Sequence, residues 1–330
     1  MPTWRYPWNR SSVLAVVAIA VAVAGSAVLG HQLGSASARP PATAKQLLIE
    51  NPYDIGGSWY KGNLHVASVR GLGRDLPSTI GQWYATHGFS FLGITDMNTF
   101  TWTSEYGSRQ LVAVPAVEAS YPFGDLLAVG MDHWLPAASL QAGINWIAGD
   151  DGLPVLVAPR SATKPIAPET LIKLKRLFGI EVYDARLAAV DAGDGTALWD
   201  ALLSGGNRVY GFAGDDSTSL ADTATGQGWI EVSASGASLD ALLSSLRHGA
   251  FYASSGPEFS KLTLAGQTIE VEASTGTKLR FIGRGGHLLK TVDGPTGAYK
   301  VSGNEGYVRV EATRDTGGRA WSQPFFVSWR

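Results

Sequence analysis

The sequence predicts an α/β body followed by a smaller all-β segment, on three observations. Between about residues 58 and 256, short apolar runs alternate with helical patterns of about ten residues, as in βα units with parallel strands. After Gly256 the helical period disappears, and short strand-like runs are separated by glycine-rich turns. The chain of 330 residues is 45% hydrophobic and 10% aromatic, enough to build the core of one large domain with an appendage, or of two ordinary domains. A barrel and a doubly wound sheet both satisfy the alternation.

The first segment is read as an export signal. Arg5 and Arg10 precede an apolar run from Ser12 to Gly30, with no charge before His31. Positive residues stay on the cytoplasmic side, so the chain beyond the run is expected outside. The run is about 18 residues, short for a membrane span and long for a signal-peptide core. Ala36-Ser37-Ala38 offers a small-x-small cleavage pattern, so residues 1–38 read as a signal peptide or an uncleaved anchor. Residues 39–57, with Pro40 and Pro41, read as a linker.

Residues 58–256 form the expected body. Helices are expected near Ser78–Thr86, over 138–149, from Pro168-Glu169 through the stripe Leu171, Leu174, Leu177 and Phe178 with Gly179 at C′, near Thr196–Leu203, and from Ser238 to His248. Strands are expected at Phe91–Thr95, Leu111–Ala119, Leu126–Met131, Pro154–Ala158, Ile180–Tyr183 and Val209–Ala213. In residues 257–330, strands are expected at Lys261–Ala265, Thr268–Glu272, Lys278–Ile282, Tyr307–Ala312 and Pro324–Trp329, a small sandwich packed on the body.

Composition removes several functions. A net charge of −2 leaves no basic field to hold nucleic acid. With no cysteine, the chain has no disulfide framework, no cysteine-ligated zinc, no thiol nucleophile and no lipoprotein acylation site. It also has neither a Gly-x-Ser-x-Gly elbow nor a Gly-x-x-x-x-Gly-Lys phosphate loop.

Several apolar runs end on a ligand-type residue: Gly62–Leu64 on His65, Phe91–Thr95 on Asp96, Val112–Val117 on Glu118, and Val209–Gly214 on Asp215-Asp216. In βα barrels the chemistry gathers at such strand ends. Brought to one face, these residues would form a carboxylate-rich pocket with one imidazole, the material of a hydrolytic metal site. Asp96 and Asp216 could equally cap the turns after their strands. Arg70 and Arg160 are candidates to neutralise the pocket or hold an anion. His133 and Trp134 are placed near the mouth; His87, His248 and His287 read as surface or capping residues. Trp83, Trp102, Trp146 and Trp199 read as core.

At these residues the sequence resembles the PHP (polymerase and histidinol phosphatase) family of metal-dependent phosphoesterases, in its exported, carbaryl-hydrolase-like branch. The carrying segments are Trp59 to His65, Gly93 to Asn98, Val114 to Glu118, Gly179 to Tyr183, Trp199 to Gly206, Gly211 to Ser217, Leu246 to Pro257 and Ala320 to Pro324. The resemblance spans roughly residues 55–328 and implies a distorted (β/α) barrel with up to three metal ions at the strand ends.

The chain also departs from the family pattern. His-x-His reads His65-Val66-Ala67 and Asp-His-Asn reads Asp96-Met97-Asn98. The histidine after the glutamate strand is replaced by Asp125, the His-Pro ending by Ala158-Pro159, and Asp-x-His by Asp216-Ser217-Thr218. The ligands that the resemblance leaves are His65, Asp96, Glu118, Asp125 and Asp216. Imidazoles favour zinc and later transition metals, whereas carboxylates favour Mg²⁺ or Mn²⁺. The expectation is therefore a catalytically impaired homologue, a pseudoenzyme or binding module holding no metal or a divalent one. The alternative is an active hydrolase with one or two ions, Mn²⁺ or Mg²⁺, acting on a small phosphoester or other anionic ligand. No nucleic-acid partner is expected, and the membrane is a partner only if the leader stays attached.

Overall fold

The computed structural model describes residues 45–159 and 166–330. The leader at 1–38 and Arg160 lie outside the described residues. Among those described, no helix is long and apolar enough to cross a membrane.

The chain opens with β1 (Leu47–Glu50), β2 (Ser58–Asn63), α1 (Pro77–Thr86), β3 (Phe91–Leu92), β4 (Val112–Ala113), β5 (Ala116–Tyr121) and β6 (Gly124–Val129). It continues through α2 (Leu140–Gly149), β7 (Leu153–Val157), α3 (Pro168–Leu171), β8 (Gly179–Asp184), α4 (Ala185–Ala188), α5 (Thr196–Ser204) and β9 (Tyr210–Gly214). Next come β10 (Trp229–Ala234), α6 (Leu239–His248) and β11 (Phe251–Ser254). The final stretch holds β12 (Phe259–Ala265), β13 (Thr268–Ala273), β14 (Thr277–Gly283), β15 (His287–Val292), β16 (Thr296–Lys300), β17 (Tyr307–Arg314), β18 (Arg319–Ser322) and β19 (Phe325–Trp329).

The fold is mixed α/β, rich in sheet and sparing in helix. One sheet runs β5-β6-β7-β8-β9. Its β7, β8 and β9 are parallel, whereas β5 and β6 add on antiparallel. A larger sheet runs β1-β19-β17-β18-β11-β10-β2-β3-β4, with β14 and β15 branching from β17. Only β2, β3 and β4 pair in parallel there. The sheet passes across residue 256 through the β11–β18 pair, so the strands after Gly256 share hydrogen bonds with the body. A third sheet, β12-β13-β16, lies over β14, β17 and β19 around Phe259, Ile269, Phe281, Val310 and Phe325. Isolated bridges Val66↔Ser217 and Met97↔Glu118 tie loops at the strand ends together.

Local chemistry explains the helices. Ser139 and Ser238 cap α2 and α6 by accepting the backbone N–H groups of Ala142 and Ala241. Gly249 closes α6 in the left-handed conformation, with Arg247 and His248 at its negative end. The expected helix from Pro168 to Phe178 shrinks to the single turn of α3. The chain turns at Arg176, whose φ is 63°, and Gly179 opens β8 instead of capping a helix. A Cβ at Gly179 would lie 2.5 Å from the Phe212 ring, so glycine is what lets β8 approach β9. The expected strand Phe91–Thr95 is regular only over Phe91–Leu92, and Trp102, expected in the core, is 64% exposed.

Glu231, on β10, pairs across the strands with Lys61 and Tyr252. The Lys61 ammonium lies over the Trp229 ring at 3.7 Å. Burial, helped by Glu258 and opposed by Lys61, pushes the Glu231 carboxyl up to about 7. The folded state thus holds this proton to higher pH than the unfolded chain, and the group loses stability as pH rises from about 4.5 to about 7. Glu231→Gln is expected to raise the unfolding free energy at pH 8 by about 3 kcal/mol at most, with the gain vanishing near pH 4. Urea unfolding at both pH values checks this.

Candidate metal centre

His65 follows β2, and its backbone N–H donates to the Asn63 side chain at 2.9 Å, while Asn63 Nδ2 donates to Gly228 O at 3.1 Å. These bonds fix the bend that turns the imidazole, only 3% exposed, toward the ends of β5, β8 and β9. Its Nδ1 bonds Glu181 Oε1 at 2.9 Å, and Glu181 Oε2 accepts the Ala158 N–H at 3.0 Å. Its Nε2 has no hydrogen-bond partner among the described residues, and lies 3.5 Å from Asp216 Oδ1 and 3.8 Å from Glu118 Oε2. Asp184, at the end of β8, caps the turn of α4 through Oδ1 and leaves Oδ2 buried without a hydrogen-bond partner among the described residues. Ligand atoms of His65, Glu181 and Asp184 all lie within 4.8 Å of one another.

The backbone is shaped for this group. A Cβ at Gly214 would stand 2.7 Å from the His65 Cβ and 2.8 Å from Glu181 Oε1, so only glycine lets β9 pass behind the pair. Asn98, Ala158 and Asp216, which border the cluster, take φ values of 54°, 44° and 51°. Non-glycine residues in this region carry strain that functional sites commonly retain.

The charges are coupled. Burial disfavours the imidazolium of His65, but Glu181, Asp216 and Glu118 outweigh it and hold its pKa well above the ordinary value. Burial raises Glu118 against the pull of His65. Burial, with Glu181 and Asp216 adding repulsion, also pushes Asp184 well above the ordinary carboxylate range.

Of the five residues expected as ligands, His65, Glu118 and Asp216 come together. Asp125 sits on β6 opposite Ser120, diagonal to Glu118 on the same face. Asp96 is turned elsewhere: it accepts the Ser68 N–H and hydroxyl at 2.6 Å and the Thr101 hydroxyl, so its carboxylate closes a loop. Asp215 likewise accepts from the Gly226 and Gly228 N–H groups at 2.8 Å and from the Tyr84 hydroxyl. Arg70 pairs with Glu105, and His133 pairs with Asp132 and Asp150. His87 stacks on Trp83 and His248 pairs with Asp54.

Three residues escaped the sequence reading: Glu181, Asp184 and Arg186. Glu181 had a signal, since it interrupts the apolar strand Gly179–Asp184 between Ile180 and Val182, both fully buried. A carboxylate there needs a partner. Arg186 had none, because only the tertiary fold carries α4 back to Asp216, where its guanidinium binds Oδ2.

No family model matches the sequence, and no curated protein matches it. Solved structures similar to this chain include PHP-like metal-dependent phosphoesterases. One is a two-domain protein from Bacteroides vulgatus containing a predicted PHP-like metal-dependent phosphoesterase, at 15% identity and a TM-score of 0.49, covering 83% of this chain and 98% of that one. An amidohydrolase from Chromobacterium violaceum, with sulfate and no metal, shares 14% identity over 48% of this chain and 88% of its own, at a TM-score of 0.39. A metal-dependent phosphoesterase of Bifidobacterium adolescentis shares 12% identity over 49% of this chain and 89% of its own, at 0.38.

Proposed function

We propose that this chain is an exported hydrolase of PHP type whose site holds one oxygen-preferring divalent ion, Mn²⁺ or Mg²⁺, and takes a small phosphoester or other anionic ligand. The carrying observation is the buried His65 imidazole, whose Nδ1 bonds Glu181 while its Nε2 faces Asp216 Oδ1 at 3.5 Å and Glu118 Oε2 at 3.8 Å without a hydrogen bond among the described residues. The same carboxylates that favour a proton on Nε2 would favour a metal cation in its place. One imidazole with several carboxylates suits Mg²⁺ or Mn²⁺ better than zinc. His65, Glu118 and Asp216 would ligate, and Asp184, which has a ligand atom within 4.8 Å of those of His65 and Glu181, stands beside them. When bound, the ion would polarise a phosphoryl oxygen and acidify water. Glu181 would hold the proton on Nδ1 and so keep Nε2 free to ligate. The finer reading of the fold, a distorted (β/α) barrel over 58–256 with a sandwich-like tail, draws on the sequence motifs, as do export and the optional membrane anchor at 1–38.

A second reading, a binding module without turnover, is favoured by the Arg186 guanidinium on Asp216 and by the histidines that this chain lacks. The test uses protein purified without chelator and titrated with Mn²⁺. The melting temperature is expected to rise, because the ion binds only the folded state. A generic phosphodiester is expected to be hydrolysed in the same sample, and Glu118→Ala is expected to lose both effects. A thermal shift without hydrolysis would leave the second reading, and no shift with any divalent ion would end the hydrolase reading and leave a binding module without metal.

A further inference from the structure

We infer that Arg186 supplies the second positive charge of this site, holding the flank of Asp216 that a second metal ion would otherwise need. The inference rests on the one-ion reading and deepens it. Asp216 is shared between two partners: Oδ1 lies 3.5 Å from His65 Nε2, while Oδ2 accepts Arg186 Nε at 2.9 Å and Nη2 as well. A carboxylate that gives each oxygen to a different cation is what bridges the ions of a two-metal site, and here the guanidinium holds the second oxygen. It is anchored in that position. Its Nε also donates to the Asp216 backbone carbonyl at 3.0 Å, and the Arg186 backbone N–H donates to Asp215 O at 3.2 Å.

The neighbouring carboxylates fit the same role. Asp216 Oδ1 and Glu118 Oε2 lie 3.5 and 3.8 Å from the same His65 Nε2, so the guanidinium on Asp216 Oδ2 borders the carboxylates that a second ion would have to use. A planar fork matches a carboxylate better than an ammonium can, and it never deprotonates. The side chain is 49% exposed, and the bonds to Asp216 use only Nε and Nη2, which leaves Nη1 as a further donor for an anionic oxygen of the ligand. Arg70, one of the two arginines singled out by sequence, is paired with Glu105.

The test counts Mn²⁺ per full chain by elemental mass spectrometry, after equilibration with Mn²⁺ and removal of free ion. Wild type is expected to hold one ion, Arg186→Met two, and Arg186→Lys one, because lysine keeps the charge. Metal-free melting curves report whether the variants fold; Arg186→Gln replaces the methionine variant if it does not. One ion in both wild type and the neutral variant overturns the inference and leaves the one-ion reading standing, and two ions in wild type overturn the inference as well. No ion in wild type but one in the neutral variant upholds the role of Arg186 and ends the one-ion reading. No ion in either ends both.

Discussion

Arg309→Met is expected to lower the unfolding free energy by about 3–5 kcal/mol, the cost of stranding a buried charge. Arg309, on β17, is only 2% exposed. Its Nε and Nη2 donate to the two oxygens of Asp200 on α5 at 2.9 and 2.8 Å, and Nη1 donates to Glu311 at 2.7 Å. The guanidinium also lies 5.0 Å from the centre of the Trp199 ring. One side chain therefore joins the helix before β9 to the strands after Gly256. Methionine would fill much of the volume but leave Asp200 with only the Tyr307 hydroxyl at 2.7 Å, whereas Glu311 would keep Arg280 at 3.3 Å. The loss should thus fall mainly on Asp200. Asp200→Asn added to Arg309→Met should recover part of it, and the strong non-additivity of a double-mutant cycle in urea would show the coupling. A loss under about 1 kcal/mol would mean that water reaches the pair and that its charges are already screened.

This pair also marks where the sequence was readable and where it was not. Trp199 to Gly206 stood out as a segment resembling the family, yet nothing in its spacing told that Asp200 serves an arginine more than a hundred residues later. Helices with local signals were legible: Ser139 and Ser238 cap α2 and α6, and Gly249 closes α6. The leucines after α3 are buried, but they follow turns and not a helix, because burial of apolar side chains does not by itself require helical period. Strands such as Trp229–Ala234 carry Glu231 among their inward positions, which hid them from pattern reading. At the site, residues at strand ends were visible as types, and His65, Glu118 and Asp216 do meet. Asp96 shows the limit, since an aspartate after a strand reads the same whether it faces a metal or closes a loop with Ser68 and Thr101.

Glu181→Gln is expected to weaken Mn²⁺ binding about 10–100-fold, the usual effect of losing the group that orients a ligand histidine. The carboxylate accepts two donors, His65 Nδ1 at 2.9 Å and the Ala158 N–H at 3.0 Å. An amide has one accepting oxygen, and its NH₂ must then face the other donor. If the oxygen stays on Nδ1–H, the NH₂ opposes the Ala158 N–H, at the end of a strand whose φ of 44° leaves it little freedom to move. If the amide flips, the NH₂ meets Nδ1, and His65 relieves the clash by moving its proton to Nε2. The first course costs about 1–3 kcal/mol of stability, because the part-buried Ala158 N–H loses its acceptor. The second fixes the proton of the neutral imidazole on Nε2, the nitrogen that faces Glu118 and Asp216 and would hold the ion. Calorimetric titration with Mn²⁺ measures the affinity, and the nitrogen shifts of His65 show which ring nitrogen carries the proton. Weakened binding with the proton on Nε2 would assign Glu181 to positioning the imidazole. Unchanged affinity would mean that the ion does not use His65 Nε2, and the carboxylates alone would then have to account for whatever binds.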